Sequence, residues 1–183
     1  MKTLLLLRHA KSSWKDKDAS DHDRPLKKRG KRNAALMGWL LQKEDLVPDI
    51  IVSSTAVRAR DTAARVAKSC CYKGQITYAD SLYLGGTGAY LDALRILAKD
   101  FKIALVVGHN PDIEELVIML TENEERLPTA ALTRINLPIG DWSTLSSKSK
   151  GRLVRIWKPK ELVDIGASSK RSRVWVALNS TEK

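Results

Sequence analysis

Four short apolar runs, each followed by a longer amphipathic segment, constrain the fold of this chain more than any other feature. Short runs of this kind are typical of strands that are covered on both faces of a sheet. Because the segments between them carry apolar stripes at helical spacing, the alternation predicts an α/β fold, a three-layer α/β/α sandwich around a mostly parallel sheet. The strands are expected in TLLLL (3–7), PDIIVSS (48–54), the weaker QITYA (75–79) and KIALVVG (102–108).

Two further predicted strands follow each other without a helix between them, in ALTRINLPI (131–139) and GRLVRIWKP (151–159). Strands in this arrangement are expected to add an antiparallel edge to the sheet. The helices are expected in DRPLKKRGKRNAALMGWLLQKE (23–44), AVRARDTAARVAKSC (56–70), residues 87–99 and NPDIEELVIML (110–120).

Capping residues indicate where two of these helices begin. Asp23 can cap the first helix and Pro25 can occupy its first turn. Asn110 and Pro111 repeat this pattern in the fourth helix, and three acidic residues follow at the positive end of its dipole.

Composition limits the class of protein. A length of 183 residues suits one domain, and 43% hydrophobic residues can build a core without a disulfide or metal staple. The formal net charge of +11 favours acidic partners such as phosphoproteins, nucleotides, nucleic acid or anionic lipid, without choosing among them. The composition shifts at about Pro159, so we expect a domain over 1–158 and a basic C-terminal extension over 159–183 that docks a short strand through VWVAL or stays disordered.

The lack of a recognisable secretion signal or membrane span, together with the cysteine usage, predicts a soluble, cytoplasmic protein. The four leucines at 4–7 are too few for a secretion signal, which needs roughly 7–15 apolar residues, and no window reaches the ~20 that a membrane span needs. Cys70 and Cys71 are adjacent, so they rarely bridge each other, and two cysteines are too few for a Cys-based metal site.

Basic side chains, arginine and histidine, lie at or just after the ends of three predicted strands. Arg8 and His9 end the first strand, Arg58 follows the second in the first turn of a helix, and His109 ends the strongest later strand. Each has an ordinary alternative: surface polarity for the Arg-His pair, a solvated helix face for Arg58, and a backbone-bonded residue near a helix cap for His109. If the strands are neighbours, their carboxyl ends bring two arginines, two histidines and two helix N-termini together, which predicts an anion site. His22, in a polar loop, is interpreted as a surface residue.

Four motifs in this order resemble the histidine phosphatase superfamily, and specifically its small branch of SixA-type phosphohistidine phosphatases. They are LLLLRHAKSSW, DHDRPLKKRGKR, IIVSSTAVRARDTA and VVGHNPDIEEL. The resemblance covers residues 3 to about 120, more loosely extends to Trp157, and does not include the C-terminal extension. Ala10 replaces the glycine that is common in the superfamily, and alanine is usual in the SixA-like branch.

The resemblance implies a mechanism. His9 would be the nucleophile that is transiently phosphorylated, and one of its ring nitrogens must then be unprotonated while the other donates to a backbone carbonyl. Arg8, Arg58 and His109 would bind the transferring oxygens, and neighbouring cations would lower the pKa of His9. Because the arginines neutralise the phosphate charge, the resemblance implies no metal and no cofactor. Many members use a glutamate as general acid, and the matching position here is Asp80, whose alternative is an ordinary loop aspartate.

Several nearby residues have less defined roles. Lys11 and Ser12 follow the nucleophile and are candidates for the pocket mouth, and Ser54 is a candidate cap for the helix that carries Arg58. Arg24 matches a branch motif and either takes part in the site or pairs with a neighbouring aspartate. Tyr83 stands close to Asp80 in sequence.

The substrate hypothesis follows from the absence of long inserts before the GHN motif. A shallow, open pocket suits a phosphorylated side chain on a protein surface, so phosphohistidine on a protein is the expected substrate and phosphate or sulfate is expected to bind. The alternatives are a general small-molecule phosphomonoesterase, a phosphate-sensing pseudo-enzyme, and a non-catalytic basic protein that binds nucleic acid. No nucleic-acid motif is present, which makes nucleic acid the less favoured partner, and no membrane association is expected. The basic segment LKKRGKR (26–32) either steers an acidic partner or forms a solvated helix face.

Overall fold

The computed structural model describes residues 1–15, 18 and 20–162, and a six-stranded sheet forms its centre. The strand order is β3-β2-β4-β1-β5-β6, with the first four strands parallel, β5 antiparallel to β1, and β6 antiparallel to β5. The predicted mostly parallel sheet with an antiparallel edge is thereby confirmed. The strands are β1 Lys2–Arg8, β2 Ile50–Ser54, β3 Ile76–Ala79, β4 Ile103–Gly108, β5 Leu132–Leu137 and β6 Arg152–Trp157.

Helices cover both faces of the sheet. Leu5 and Leu7 of β1 pack in one apolar cluster with α1 and α2, while Leu4 and Leu6 pack in a second cluster with α3 and α4. All four leucines are fully buried, and each contributes roughly 1.5–3 kcal/mol of transfer free energy. The central strand is therefore rigidly held where it ends at Arg8. The helices are α1 Lys28–Lys43, α2 Val57–Ser69, α3 Gly86–Arg95 and α4 Asp112–Thr121, with short 3₁₀ turns at Asp80–Leu82 and Trp142–Thr144.

The predicted capping of α1 is wrong. The helix begins at Lys28, because the preceding residues form a bridge to the loop after β1, in which Ser12 pairs with Leu26 and the Ser13 N–H donates to the Pro25 carbonyl. Backbone groups that are bonded to another segment in this way cannot join the first helical turn.

The predicted capping of α4 and the predicted end of α3 are also corrected. The Asn110 side chain donates to the Leu127 carbonyl at 3.1 Å, and α4 begins at Asp112 with Pro111 as its cap residue. Helix α3 ends at Arg95 rather than at Lys99.

The boundary between domain and extension remains a prediction. Pro159 is buried and Leu162 packs against the cluster of α1 and α2, so the chain still contacts the domain after 158. The expected short strand in VWVAL lies outside the described residues. Across the part of the chain that the structure describes, no helix is long and apolar enough to cross a membrane.

Candidate active site

His9 is the first residue after β1, and its backbone and ring are both fixed. The pairing of Arg8 with Gly108 continues past the strand, so the His9 N–H donates to the Gly108 carbonyl at 2.9 Å. Its Nδ1 lies 2.8 Å from the Ala10 carbonyl, an atom that only accepts, so Nδ1 carries the proton. Nε2 is therefore the unprotonated nitrogen, as expected for a nucleophilic histidine.

Arg58 lies against this free nitrogen. It stands in the first turn of α2 and is 5% exposed, and its Nε donates to His9 Nε2 at 3.3 Å. Asp21 binds the other two nitrogens: Nη1 donates to the Asp21 carbonyl, and Nη2 donates to Asp21 Oδ2 at 2.9 Å. Each of the three guanidinium nitrogens of Arg58 thus donates a hydrogen bond, and together these bonds fix the orientation of the group.

His109 follows β4 and faces His9. The two ring centroids are 5.1 Å apart and the rings are tilted by 49°. His109 Nε2 shares a hydrogen bond of 2.9 Å with Ser54 Oγ, and the His109 N–H donates to the buried Tyr90 hydroxyl at 3.0 Å. Its Nδ1 is buried and has no hydrogen-bond partner among the described residues. A buried polar atom without a partner costs about 1–3 kcal/mol, which a ligand would relieve.

Arg8, the last residue of β1, directly precedes the nucleophile in the chain. Its Nη1 donates to the Leu127 carbonyl at 2.7 Å, while its Nε is buried without a partner in the part of the chain that is described. Burial lowers the pKa of Arg8, and the Glu114 carboxylate partly opposes this. Glu114 also accepts from the Leu127 N–H at 2.7 Å, so it fixes the carbonyl group that holds Arg8.

Burial and positive surroundings keep both histidines neutral. Burial is the main cause that lowers the pKa of His9 to about 3, and the charges of His109, Arg58 and Arg8 add to it, against an opposing hydrogen bond to Ala10. Burial, followed by Arg58 and Arg8, lowers the pKa of His109 to about 4, and Asp21 opposes this shift. At neutral pH the site therefore contains two neutral imidazoles and two guanidinium cations.

A second set of contacts surrounds this cluster and centres on Asp21. Its carboxylate accepts from Arg24 Nη1 at 2.6 Å and from the Tyr83 hydroxyl at 2.9 Å, in addition to Arg58. Burial alone would raise the pKa of Asp21, but the hydrogen bonds from Arg24, Tyr83 and Arg58 lower it to about 2. The Tyr83 ring meets the His109 ring edge-on, with centroids 5.5 Å apart.

The chemistry of this arrangement is that of a phosphoryl site. Guanidinium groups match phosphate oxygens, and the unprotonated nitrogen of His9, which lies beside Arg58, can act as a nucleophile. In the described residues, no group of three or more His, Cys, Asp or Glu side chains is placed to hold a metal ion.

Comparison with known proteins identifies the family of this chain. The family model of the histidine phosphatase superfamily (branch 1) matches residues 4–81, which include Arg8, His9 and Arg58. The uncharacterized protein Rv1276c of Mycobacterium tuberculosis is 32% identical over 148 residues, covering 75% of this chain and 90% of that protein. An uncharacterized chloroplastic protein of Arabidopsis thaliana is 33% identical over 135 residues, covering 69% of this chain and 62% of that protein. The chain belongs to the histidine phosphatase superfamily.

Solved structures place this histidine phosphatase with the SixA type. A proposed phosphohistidine phosphatase SixA from Nakamurella multipartitia is 29% identical with a TM-score of 0.75, over 86% of this chain and 96% of that one. Its counterpart from Agrobacterium tumefaciens is 25% identical with a TM-score of 0.74, over 86% and 98%. The protein histidine phosphatase SixA complexed with tungstate shares the fold, with a TM-score of 0.76 at 23% identity over 87% and 99%. The chain is thus a hydrolase of the histidine-nucleophile phosphatase class.

The structure brings four of the predicted site residues of this histidine phosphatase together: Arg8, His9, Arg58 and His109. No described hydrogen bond or ion pair joins Asp80 to them, and its role as general acid stays a prediction. The Asp80 side chain is exposed, and Tyr83, three residues later, contacts the cluster instead. The reason is local: Asp80 begins a 3₁₀ turn in which the Tyr83 N–H donates to the Asp80 carbonyl, and this turn presents Tyr83 to the site.

Of the two predicted pocket-mouth residues, Ser12 is buried elsewhere, while the position of the Lys11 side chain at the pocket mouth stays a prediction. Ser12 is 2% exposed and its Oγ accepts from Arg24 Nη2 at 2.7 Å, so it holds Arg24 instead of lining the pocket. The Lys11 carbonyl accepts from the Lys27 N–H, which ties this loop to α1, and no described contact links the Lys11 side chain to His9. The prediction that Ser54 caps α2 is wrong, because the cap residue is Ala56 and no described side chain caps this helix. Ser54 Oγ instead accepts from the Ala56 N–H at 3.3 Å and forms a hydrogen bond with His109.

Three functional residues were not predicted as such: Asp21, Tyr83 and Tyr90. Pairing with Asp21 or Asp23 was one of the two roles predicted for Arg24, and the 2.6 Å bond shows that Asp21 is the partner. Nothing local linked that pair to Arg58. Tyr90 lies on α3, and its hydroxyl reaches the backbone beside β4 because Gly108 has no side chain: a Cβ there would lie 2.0 Å from that oxygen.

Proposed function

We propose that this chain is a metal-independent phosphohistidine phosphatase that acts on a phosphorylated protein. The observation that carries the proposal is the state of His9, which has Nδ1 bonded to the Ala10 carbonyl and an unprotonated Nε2 beside Arg58. The tungstate in the SixA complex, an oxyanion with the charge character of phosphate, supports a phosphoryl ligand for this fold. The names of the SixA-type neighbours support phosphohistidine as the substrate class.

In the first step, the lone pair of His9 Nε2 attacks phosphorus in line with the leaving nitrogen of the substrate. The new P–N bond forms as the old one breaks, and the leaving imidazole nitrogen takes a proton from solvent water. The hydrogen bond from Arg58 Nε to Nε2 is long, at 3.3 Å, so a phosphoryl oxygen can replace the acceptor and release the lone pair. Arg8 Nε and His109 Nδ1, both unpartnered in the described chain, are available to the other oxygens.

In the second step, water attacks the phosphorus on His9 and inorganic phosphate leaves. The positive charge of Arg8 and Arg58 stabilises the negative charge that spreads over the phosphoryl oxygens, so these residues do work that a metal ion does elsewhere. A leaving imidazole is itself basic and needs less protonation by the enzyme than an alkoxide does. This chemistry is consistent with an exposed Asp80 that has no described contact with His9.

A cytoplasmic location belongs to the same proposal. Cys70 and Cys71 are both free, Cys70 buried and Cys71 exposed, as expected in a reducing compartment.

The test measures phosphate release in the presence of a strong chelator from a phosphohistidine-bearing domain and from an aryl phosphate. We expect release from the phosphohistidine domain to be faster by at least tenfold, and to be lost in His9→Ala. A labelled phosphate on His9, detected by mass spectrometry at alkaline pH, is expected in wild type alone. Equal phosphate release by wild type and His9→Ala contradicts the proposal. A loss of activity in the presence of the chelator contradicts metal independence. Faster release from the aryl phosphate than from the phosphohistidine domain favours a small-molecule phosphomonoesterase.

A further inference from the structure

A cavity of about 510 Å³ opens where the start of α1 meets the segments before β5 and after β6. Its walls come from the first turns of α1, the segment 128–129 before β5, and the segment 158–161 after β6. Four cations and one carboxylate line it: Arg29, Arg32, Lys158, Lys160 and Glu161.

The cations of this cavity are not neutralised by the protein. None of the four has a carboxylate within ion-pair distance among the described residues, and the first turn of α1 contains no acidic residue. Basic side chains at the positive end of a helix dipole oppose folding, since the favourable residues there are acidic. An anionic ligand would reverse this unfavourable arrangement.

Sheet register relates the cavity to the strand that carries the nucleophile. Leu7 pairs with Leu132, and Leu132 pairs with Trp157, so the next residues, Arg8 and Lys158, lie at the same level on strands two apart. With strands spaced about 4.8 Å apart, the backbones of these two strands are roughly 10 Å apart. The Ala130 N–H, next to the cavity wall, donates to the carbonyls of both Arg8 and His9 at 3.1 and 3.2 Å. The cavity and the nucleophile thus lie at the same edge of the sheet.

We propose that this cavity binds acidic side chains of the protein substrate, at a position roughly 10 Å from the phosphorylated residue. This inference rests on the proposed function and adds a specificity site to it. A distance of 10 Å corresponds to about three residues of extended chain. The substrates are therefore phosphohistidine proteins with an acidic cluster three to five residues from the phosphorylated histidine.

A protein ligand fits better than a nucleic acid. No aromatic side chain is among the residues that line the cavity, and single-stranded nucleic acid is held largely by base stacking on aromatic rings. Charge also disfavours the chain's own C-terminal residues 163–183, which contain four basic and two acidic residues. An acidic peptide segment supplies the opposite charge without needing a stacking surface.

The test compares the hydrolysis of two phosphohistidine peptides. One peptide has three aspartates, and the other three asparagines, at the third to fifth positions after the phosphorylated histidine. A second pair of peptides has the same residues at the third to fifth positions before it. The cavity variant is Arg29→Gln with Arg32→Gln. The matched control, Lys68→Gln with Lys73→Gln, removes the same charge from exposed positions outside the cavity. We expect the cavity variant to raise KM for the aspartate peptide roughly fivefold and leave kcat unchanged, because exposed ion pairs contribute modestly. The asparagine peptide and the control variant are expected to show no change.

A binding measurement separates failure of this inference from failure of the proposed function. The unphosphorylated aspartate peptide, labelled for fluorescence anisotropy, is expected to bind wild type more tightly than the cavity variant, and to lose affinity with added salt. This result does not depend on turnover. The inference is overturned if the cavity variant changes KM equally for the aspartate and asparagine peptides, or if the control variant weakens peptide binding as much as the cavity variant does. It is also overturned if a single-stranded RNA displaces the peptide and the binding of this RNA itself requires Arg29 and Arg32. Absence of His9-dependent phosphate release from either peptide would instead refute the proposed function.

Discussion

The two buried histidines make the stability of the fold depend on pH in a defined way. His9 is 9% exposed and His109 is 5% exposed, and the folded protein holds both as neutral rings with pKa values of about 3 and about 4. In the unfolded chain each ring is expected near its ordinary pKa of about 6.5. Acidification from pH 7 to pH 5 therefore protonates the unfolded chain but leaves the folded site neutral.

The magnitude follows from the sizes of these shifts. Above pH 6.5 both states hold neutral rings, so the two histidines add no pH dependence there. Below it, each ring lowers the free energy of unfolding by about 1.4 kcal/mol per pH unit, until the pH reaches its folded pKa. Over the interval down to pH 5 this amounts to about 2 kcal/mol per ring and about 4 kcal/mol for the pair.

Urea unfolding at pH 7 and pH 5 measures this loss. The comparison uses His9→Asn, whose amide can still donate to the Ala10 carbonyl, His109→Gln, whose amide can still reach Ser54, and the double variant. We expect the fall in the free energy of unfolding between pH 7 and pH 5 to be smaller than in wild type by about 2 kcal/mol in each single variant. In the double variant it is expected to be smaller by about 4 kcal/mol. Groups that titrate elsewhere contribute equally to all four proteins. If wild type and the double variant lose the same free energy, the rings are not held neutral and the reasoning about the nucleophile fails with it.

Three other predictions follow from the site. Asp21→Asn is expected to lower kcat roughly tenfold, because Arg58 loses its charged partner. It is also expected to destabilise the fold by about 1 kcal/mol at pH 7, after discounting for the 42% exposure of the side chain. Because the pKa of Asp21 is lowered to about 2, this stability difference should be full above about pH 4 and vanish towards pH 2, which unfolding at several pH values measures. Asp80→Asn is expected to leave kcat/KM within about twofold, and a loss of a hundredfold would restore Asp80 as the general acid. Gly108→Ala is expected to cost about 1–3 kcal/mol in urea unfolding, because its Cβ would lie 2.0 Å from the Tyr90 hydroxyl oxygen, whereas Gly88→Ala, with open space around it, should not destabilise.

The sheet was predictable because its determinants are local in sequence. Each parallel strand is a short apolar run, and the burial of Leu4 to Leu7 on both faces is what such a run implies. The convergence of Arg8, Arg58 and His109 was predictable for a related reason: the carboxyl ends of parallel strands meet at the same edge. That the structure places β4 between β1 and β2 is what turns these three sequence motifs into one site.

The rest of the site depends on contacts between distant segments. Asp21 lies 37 residues from Arg58 and 62 from Tyr83, and no local pattern encodes those bonds. Asp80 was selected by its position in a motif, while a single 3₁₀ turn decides that Tyr83 faces His109 instead. The start of α1 was misplaced for the same reason, since the bridge from Ser12 to Leu26 competes with the helix for the preceding residues.

The two arginines of the site are held in different ways, and this implies different roles. Arg58 directs Nε to the nucleophile and both Nη atoms to Asp21, whose carboxylate offsets its charge. Arg8 has one hydrogen bond to a carbonyl and an unpartnered Nε among the described residues, and the carboxylate that raises its pKa, Glu114, binds a backbone N–H. Of these two arginines, Arg8 therefore carries the positive charge that the protein neutralises less. We therefore propose that Arg8 is the main attraction for an incoming phosphoryl group, while Arg58, fixed by Asp21, chiefly orients the nucleophile and meets the phosphoryl oxygens once the reaction begins.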